Sequence, residues 1–196
     1  ESPVPKLKIV MGPGTGLGMA ALAPLPHGGW MALPGELGQV TLPTGERQLV
    51  VIGRQVARVD PGGKWSILAK AYQGKRFNSP NDLCYDRNGN LYFTDPPYGL
   101  EGKNEDPKKE LEFNGVYLLR KNGDLVLLTT EFTFPNGVAL SPDEKTLYVA
   151  QSDPDKPIIH AMDVREDGTV RNSRLLFDAS HLREGRKGLP DGLKVD

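Results

Sequence analysis

From about residue 49 onward, short runs rich in β-branched and aromatic residues recur: "NLYFTD", "GVYLLR", "DLVLLTT", "TLYVAQSD" and "IIHAMDV". Runs of this length and composition predict strands. Between them lie turn signals at Gly62-Gly63, Asn88-Gly89, Asn122-Gly123, Pro142-Asp143 and Asp167-Gly168. Short strands with hairpin signals this frequent predict a sandwich, a barrel or a propeller.

A repeat decides among the three. "PNDLCYDRNGNLYFTD", "PNGVALSPDEKTLYVAQSD" and "PDGLKVD" each open on a proline followed by Asn or Asp, and apolar residues alternate afterwards. Asn81 and Asn136 lie 55 residues apart, as do Asn136 and Asp191. A supersecondary unit recurring every 40–50 residues or so is the mark of a propeller blade. The excess length fits an insertion such as the charged "EGKNEDPKKELE" (101–112).

Equal spacing matters for chemistry. The innermost strand of each propeller blade runs along the central channel, so equivalent positions on successive blades face one another. On this reading the side-chain oxygens of Asn81, Asn136 and Asp191 meet at one mouth of the channel. Two amide carbonyls and a carboxylate form a hard, all-oxygen set that suits Ca2+, Mg2+ or Mn2+, with zinc also admitted. Taken singly, Pro-Asn-Gly or Pro-Asp-Gly reads as an ordinary corner. Three in matched register favour a site. Asp82, beside Asn81, raises the same question of turn or ligand.

Residues 1–48 differ in texture. "KLKIVMGPGTGLGMAALAPLP" reads as an apolar strand, a glycine-rich loop and a small-residue stretch with helical potential, a short α/β-like segment. Such a loop can aim backbone N–H groups at a phosphate. Neither G-x-x-x-x-G-K-[ST] nor a full G-x-G-x-x-G is present, and a flexible turn is the simpler reading.

Composition narrows the function classes. The chain has 196 residues, 38% hydrophobic and 25% charged, as expected of a soluble globular protein. A net charge of −1 gives no electrostatic case for nucleic acid or a membrane surface. No apolar run approaches the roughly 20 residues of a membrane span. Cytoplasm and periplasm both stay open. The single cysteine, Cys84, rules out an internal disulfide and a cysteine-built zinc site, and reads as a small strand residue. His27, His160 and His181 lack ligand spacing, and no G-x-S-x-G elbow appears, which argues against a serine nucleophile.

"RFNSPNDLCYDRNGNLYFTDPPYGL", "FPNGVALSPDEKTLYVAQSDP" and "GRKGLPDGLKVD" together resemble the gluconolactonase/regucalcin family (senescence marker protein, luciferin-regenerating-enzyme-like) over about residues 50–196. The resemblance implies a mainly β chain forming about half of a six-bladed β-propeller. It also implies a divalent metal at the channel mouth, calcium first with Mg2+, Mn2+ or Zn2+ as alternatives. The substrate would be a sugar lactone, opened by water. By motif, Asn81 is a metal or substrate ligand, Asn136 and Asp191 are metal ligands, and Asp191 is also the general base. Asn78, Asp95 and Tyr98 fall in the same region and would line the substrate pocket. The family's fourth ligand is the Glu of an early E-G-P-V or E-S-P-V; those letters recur at Glu1, but the blade expected after them is absent.

Residues 10–43 resemble the middle of a bacterial glucokinase. Glu36 matches the glucose-contacting Glu of that family, while Leu37 replaces a Gly and Gln39 a His. The expected organisation is therefore a kinase-like fragment over 1–48 and a partial propeller over 49–196. The expected activity is metal-dependent lactone hydrolysis. The alternatives are a propeller fragment that binds metal or sugar without turnover, and a sugar-kinase remnant.

Overall fold

The computed structural model describes residues 8–11, 19–24, 30–32, 48–52, 54–59, 65–183, 188–193 and 195. Its first sheet joins β1 (Lys8–Met11), β2 (Met19–Pro24) and β3 (Trp30–Ala32), all antiparallel. The "MAALAP" stretch is thus a strand, which corrects the expectation of helical potential in an α/β-like segment. Ala21 pairs with Ile9 and Ala23 with Met31, so pairing on both sides overrides alanine's helix preference.

A second antiparallel sheet joins β4 (Gln48–Ile52), β5 (Gln55–Val59) and β6 (Trp65–Ala69), and a small ribbon pairs β7 (Ala71–Tyr72) with β8 (Lys75–Arg76). Two four-stranded meanders follow. One comprises β9 (Leu83–Tyr85), β10 (Leu91–Asp95), β11 (Gly115–Leu119) and β12 (Leu125–Thr129). The other comprises β13 (Pro135–Leu140), β14 (Thr146–Asp153), β15 (Lys156–Val164) and β16 (Val170–Asp178). Each strand pairs with its neighbour in sequence, the organisation of a propeller blade. The Asn88-Gly89 and Asn122-Gly123 corners turn on glycines at φ +84° and +97°, a region that other side chains rarely enter.

The β9–β12 sheet is apolar on both faces, which is why "LYFTD" and "GVYLL" read as nearly continuous apolar runs. On one face Leu91, Phe93, Tyr117 and Leu119 join Val56, Phe77, Leu83 and Leu111. On the other, Tyr92, Val116 and Leu118 join Phe132, Val138, Leu147, Val149 and Met162 of the next sheet. Alternate residues of one strand therefore feed two cores, as the two-residue period of a strand requires. The Phe93 and Tyr117 rings stack 5.1 Å apart, and Phe77 meets both edge-on. Phe77 anchors the chain immediately before the Asn78–Asp82 loop.

β9 and β10 pack against β13. The strand ends carrying Asp82, Asp95 and Asn136 share one end of the two sheets. The corners at 86–90, 120–124, 141–146 and 165–169 lie at the other end.

Candidate active site

Asn81, Asn136 and Asp191 are brought together through the backbone. The Asn81 N–H donates to Thr94 O at 2.9 Å, and the Thr94 hydroxyl donates to Asn136 O at 2.7 Å. Thr94 thus stands between the first two. Gly137, next to Asn136, has the Asp191–Leu193 backbone directly against it. A Cβ on Gly137 would overlap the Asp191 carbonyl oxygen and come within 2.7 Å of Leu193 N. Glycine is needed here for close approach, since only a residue without a side chain admits the third segment.

The side chains differ in burial. Asn81 is half-buried, Asn136 is buried and Asp191 is exposed. The Asn136 amide nitrogen Nδ2 donates to Ser152 Oγ at 2.7 Å, and the Ser152 hydroxyl donates to Pro190 O. The Asn136 carbonyl oxygen Oδ1 is buried without a hydrogen-bond donor. An orphaned buried carbonyl costs about 1–3 kcal/mol unless something else satisfies it. A divalent cation is such a partner, so the residues present fit an oxygen-bound metal.

Asn78 and Asp95 have no exposed surface. The Asp95 carboxylate accepts the backbone N–H groups of Asn78 at 2.9 Å and of Ser79 at 2.8 Å. Asn78 Nδ2 in turn donates to Asp95 O, Phe113 O and Asn114 Oδ1. Together they hold the start of the 78–82 loop from beneath. Burial pushes the Asp95 carboxyl up to about 7, partly offset by those two N–H donors and by the Arg54 and Lys109 charges. Asn78 Oδ1 is a second buried oxygen without a donor. Tyr98 is half-buried; its ring stacks on Phe134 at 6.2 Å and its hydroxyl donates to Phe134 O at 3.2 Å. That places it beside the segment entering Asn136.

Glu1 and Glu36 lie outside the described residues, as does His27. His160 packs edge-on against Phe132 with Nδ1 at 2.9 Å from Ser173 Oγ, and His181 lies against Phe177. Both serve the outer strands. Cys84 is half-buried on β9. Among the described residues no three His, Cys, Asp or Glu side chains gather. A polar hollow of about 120 Å3 lies at the corner end, lined in part by Asp86, Asn90, Arg120 and Glu144. No helix among the described residues is long and apolar enough to cross a membrane.

Asp82, singled out with Asn81 in the sequence, and Thr94 and Ser152, which motif spacing did not mark, organise the site. Asp82 is buried, and its carboxylate accepts the N–H of Leu83 and that of Val138, each at 2.9 Å. Thr94 is fully buried between Asn81 and Asn136, and Ser152 bridges Asn136 to Pro190. Thr94 and Ser152 sit inside alternating strands, where a hydroxyl looks like any outward-facing polar residue.

Comparison with known proteins bears on this geometry. The chain is 41% identical over 177 residues to the gluconolactonase of Zymomonas mobilis, covering 88% of this chain and 49% of that protein. A Xanthomonas campestris gluconolactonase structure aligns with a TM-score of 0.69 at 32% identity, over 89% of this chain and 59% of the other. Regucalcin of Agrobacterium tumefaciens, described as a calcium-binding protein, shares the fold at a TM-score of 0.59 and 18% identity, over 84% of this chain and 53% of the other. The glucokinase likeness is weak beside these: the Agrobacterium fabrum enzyme is 31% identical over 140 residues, 68% of this chain but only 39% of that enzyme. The chain spans about half the length of the Zymomonas relative. The family model described as SMP-30/Gluconolactonase/LRE-like region matches residues 23–196, and the chain belongs to that family.

Proposed function

We propose that this chain carries the metal-binding and proton-accepting part of a lactonase that opens a sugar lactone with water. Asn81, Asn136 and Asp191 would hold one divalent cation, calcium first. The observation that carries the reading is the Asn136 carbonyl oxygen, buried without a donor on the residue preceding Gly137, which the Asp191–Leu193 backbone abuts. A cation held there would polarise the lactone carbonyl and stabilise negative charge on its oxygen.

The remaining work falls to the chain. Asp191, exposed to solvent, accepts the proton of the attacking water as general base. Asn81 and Asn136 supply neutral oxygens, so the ligand set carries little charge of its own. Tyr98 would touch the sugar ring; its half-exposed ring beside Phe134 supports that role. Asn78 and Asp95 are fully buried, which supports a role in holding the Asn81 loop rather than direct contact with substrate. The likeness to the Zymomonas and Xanthomonas gluconolactonases supports an aldonolactone such as glucono-1,5-lactone as substrate.

The test is acid release from glucono-1,5-lactone, measured at constant pH against the buffer rate. Calcium-dependent release that Asp191→Ala abolishes supports the reading; equal rates in chelator and in the variant refute it. Coverage of 49% of the Zymomonas protein gives a second reading its footing. On that reading the chain binds metal or sugar without turnover, and saturable calcium binding with no acid release would select it.

A further inference from the structure

We propose that Ser152 is a positioning residue whose hydroxyl decides which end of the Asn136 amide faces the cation. The inference rests on the reading of Asn136 as a ligand. It follows from donor and acceptor chemistry at one oxygen. Pro190 O can only accept, so the contact between it and Ser152 Oγ consumes the single hydroxyl proton of Ser152. Only lone pairs then remain on Oγ for Asn136. The Asn136 atom 2.7 Å away must therefore be the donor, Nδ2.

The carbonyl oxygen is left on the other side, buried and without a donor. The flipped amide would set Oδ1 against the Ser152 lone pairs and lose this bond. Ser152 is itself fixed, because its backbone N–H donates to Phe134 O at 3.0 Å and it pairs with Pro157 across the ladder. Pro190 immediately precedes Asp191. One hydroxyl thus orients one ligand and tethers the segment that delivers another, before any ion arrives. The chain's own bonds prepay the ordering that binding would otherwise require.

Ser152→Ala removes the acceptor of Asn136 Nδ2 and the donor to Pro190 O together. Partners that orient a metal ligand typically contribute about 10–100-fold in affinity, and a loss of that size is expected for calcium. Ser152→Thr keeps the hydroxyl on the same bonds and should restore near-native affinity.

The experiment has two readouts. In the metal-free protein, NMR should give a nuclear Overhauser contact between the Asn136 side-chain NH2 and the Ser152 β protons; its absence overturns the proposal even if no variant folds. Calcium calorimetry then compares wild type, Ser152→Ala, Ser152→Thr and Asn136→Ala. Weakened binding in Ser152→Ala with recovery in Ser152→Thr supports the proposal. Native affinity in Ser152→Ala, with binding lost in Asn136→Ala, overturns it and leaves Asn136 standing as a ligand. Equal affinity in wild type and Asn136→Ala removes the ligand role itself, and the proposal falls with it.

Discussion

The Asp82 carboxylate accepts the backbone N–H of Val138 at 2.9 Å, so a side chain at the head of β9 satisfies the backbone of β13 in the next sheet. Its second oxygen takes the N–H of Leu83, also at 2.9 Å. In the Asn81–Asp82 pair the division of labour follows from burial. Asp82, 3% exposed, fastens two sheets, while half-buried Asn81 keeps part of its surface open.

Replacing Asp82 tests that division. Asp82→Ala leaves two buried N–H groups without this acceptor, at about 1–3 kcal/mol each. Urea denaturation should show a loss of roughly 2–6 kcal/mol, with a smaller loss for Asp82→Asn, which retains one acceptor oxygen. A change within error of zero in both variants would contradict the assignment.

Gly137→Ala should disturb the site more than it disturbs the fold. The new Cβ must displace the Asp191–Leu193 backbone, at a cost of about 1–3 kcal/mol. Calcium affinity should fall along with stability. Gly123→Ala is the control: nothing lies within 4 Å, but φ is +97°, so it should lose stability and keep its calcium affinity. Indistinguishable calcium affinities in the two variants would count against the close approach of the third segment.

Much of this was legible in the sequence, and the limits have physical causes. The Asn88-Gly89 and Asn122-Gly123 corners were readable because the left-handed region restricts them to few residues. The 55-residue interval from Asn81 to Asn136 was readable because blades repeat: each residue stands where the first strand of a four-stranded sheet begins. "VRNSRLLFD" went unread as a strand: β16 is an outer strand whose Leu175 and Leu176 are 54% and 56% exposed, so no burial pattern marks it. "MAALAP" misled because alanine's local preference yields to pairing. The burial of Asn78 and Asp95 and the bridge at Ser152 depend on which backbone lies opposite, and spacing along the chain does not carry that.

Asp95 should make stability depend on pH. Its carboxyl is raised from the ordinary 3.8 to about 7 by burial. Between those values the folded chain holds a proton that the unfolded chain has released, so stability falls as pH rises from about 4 to about 7, by up to roughly 1.4 kcal/mol per unit. Asp95→Asn removes the titration. Urea midpoints for wild type should fall relative to the variant across pH 5 to 7, and parallel curves would show that Asp95 does not titrate there.

Thr94 and Tyr92 separate site geometry from stability. Thr94→Val loses the bond to Asn136 O at 2.7 Å, and Tyr92→Phe loses the bond to Gly168 O at 2.9 Å at the opposite end. Each should cost about 1–2 kcal/mol. Acid release from glucono-1,5-lactone should fall in Thr94→Val and persist in Tyr92→Phe when both are assayed well below their melting temperatures. Equal losses in the two would mean that Thr94 acts on stability alone.

The central claim is that Asn81, Asn136 and Asp191 share one cation. Calcium calorimetry on the metal-free chain and on the three single alanine variants tests it most directly. One ion should bind per wild-type chain, and binding should weaken in every variant. Undiminished binding in all three variants, or none in the wild-type chain, would contradict it.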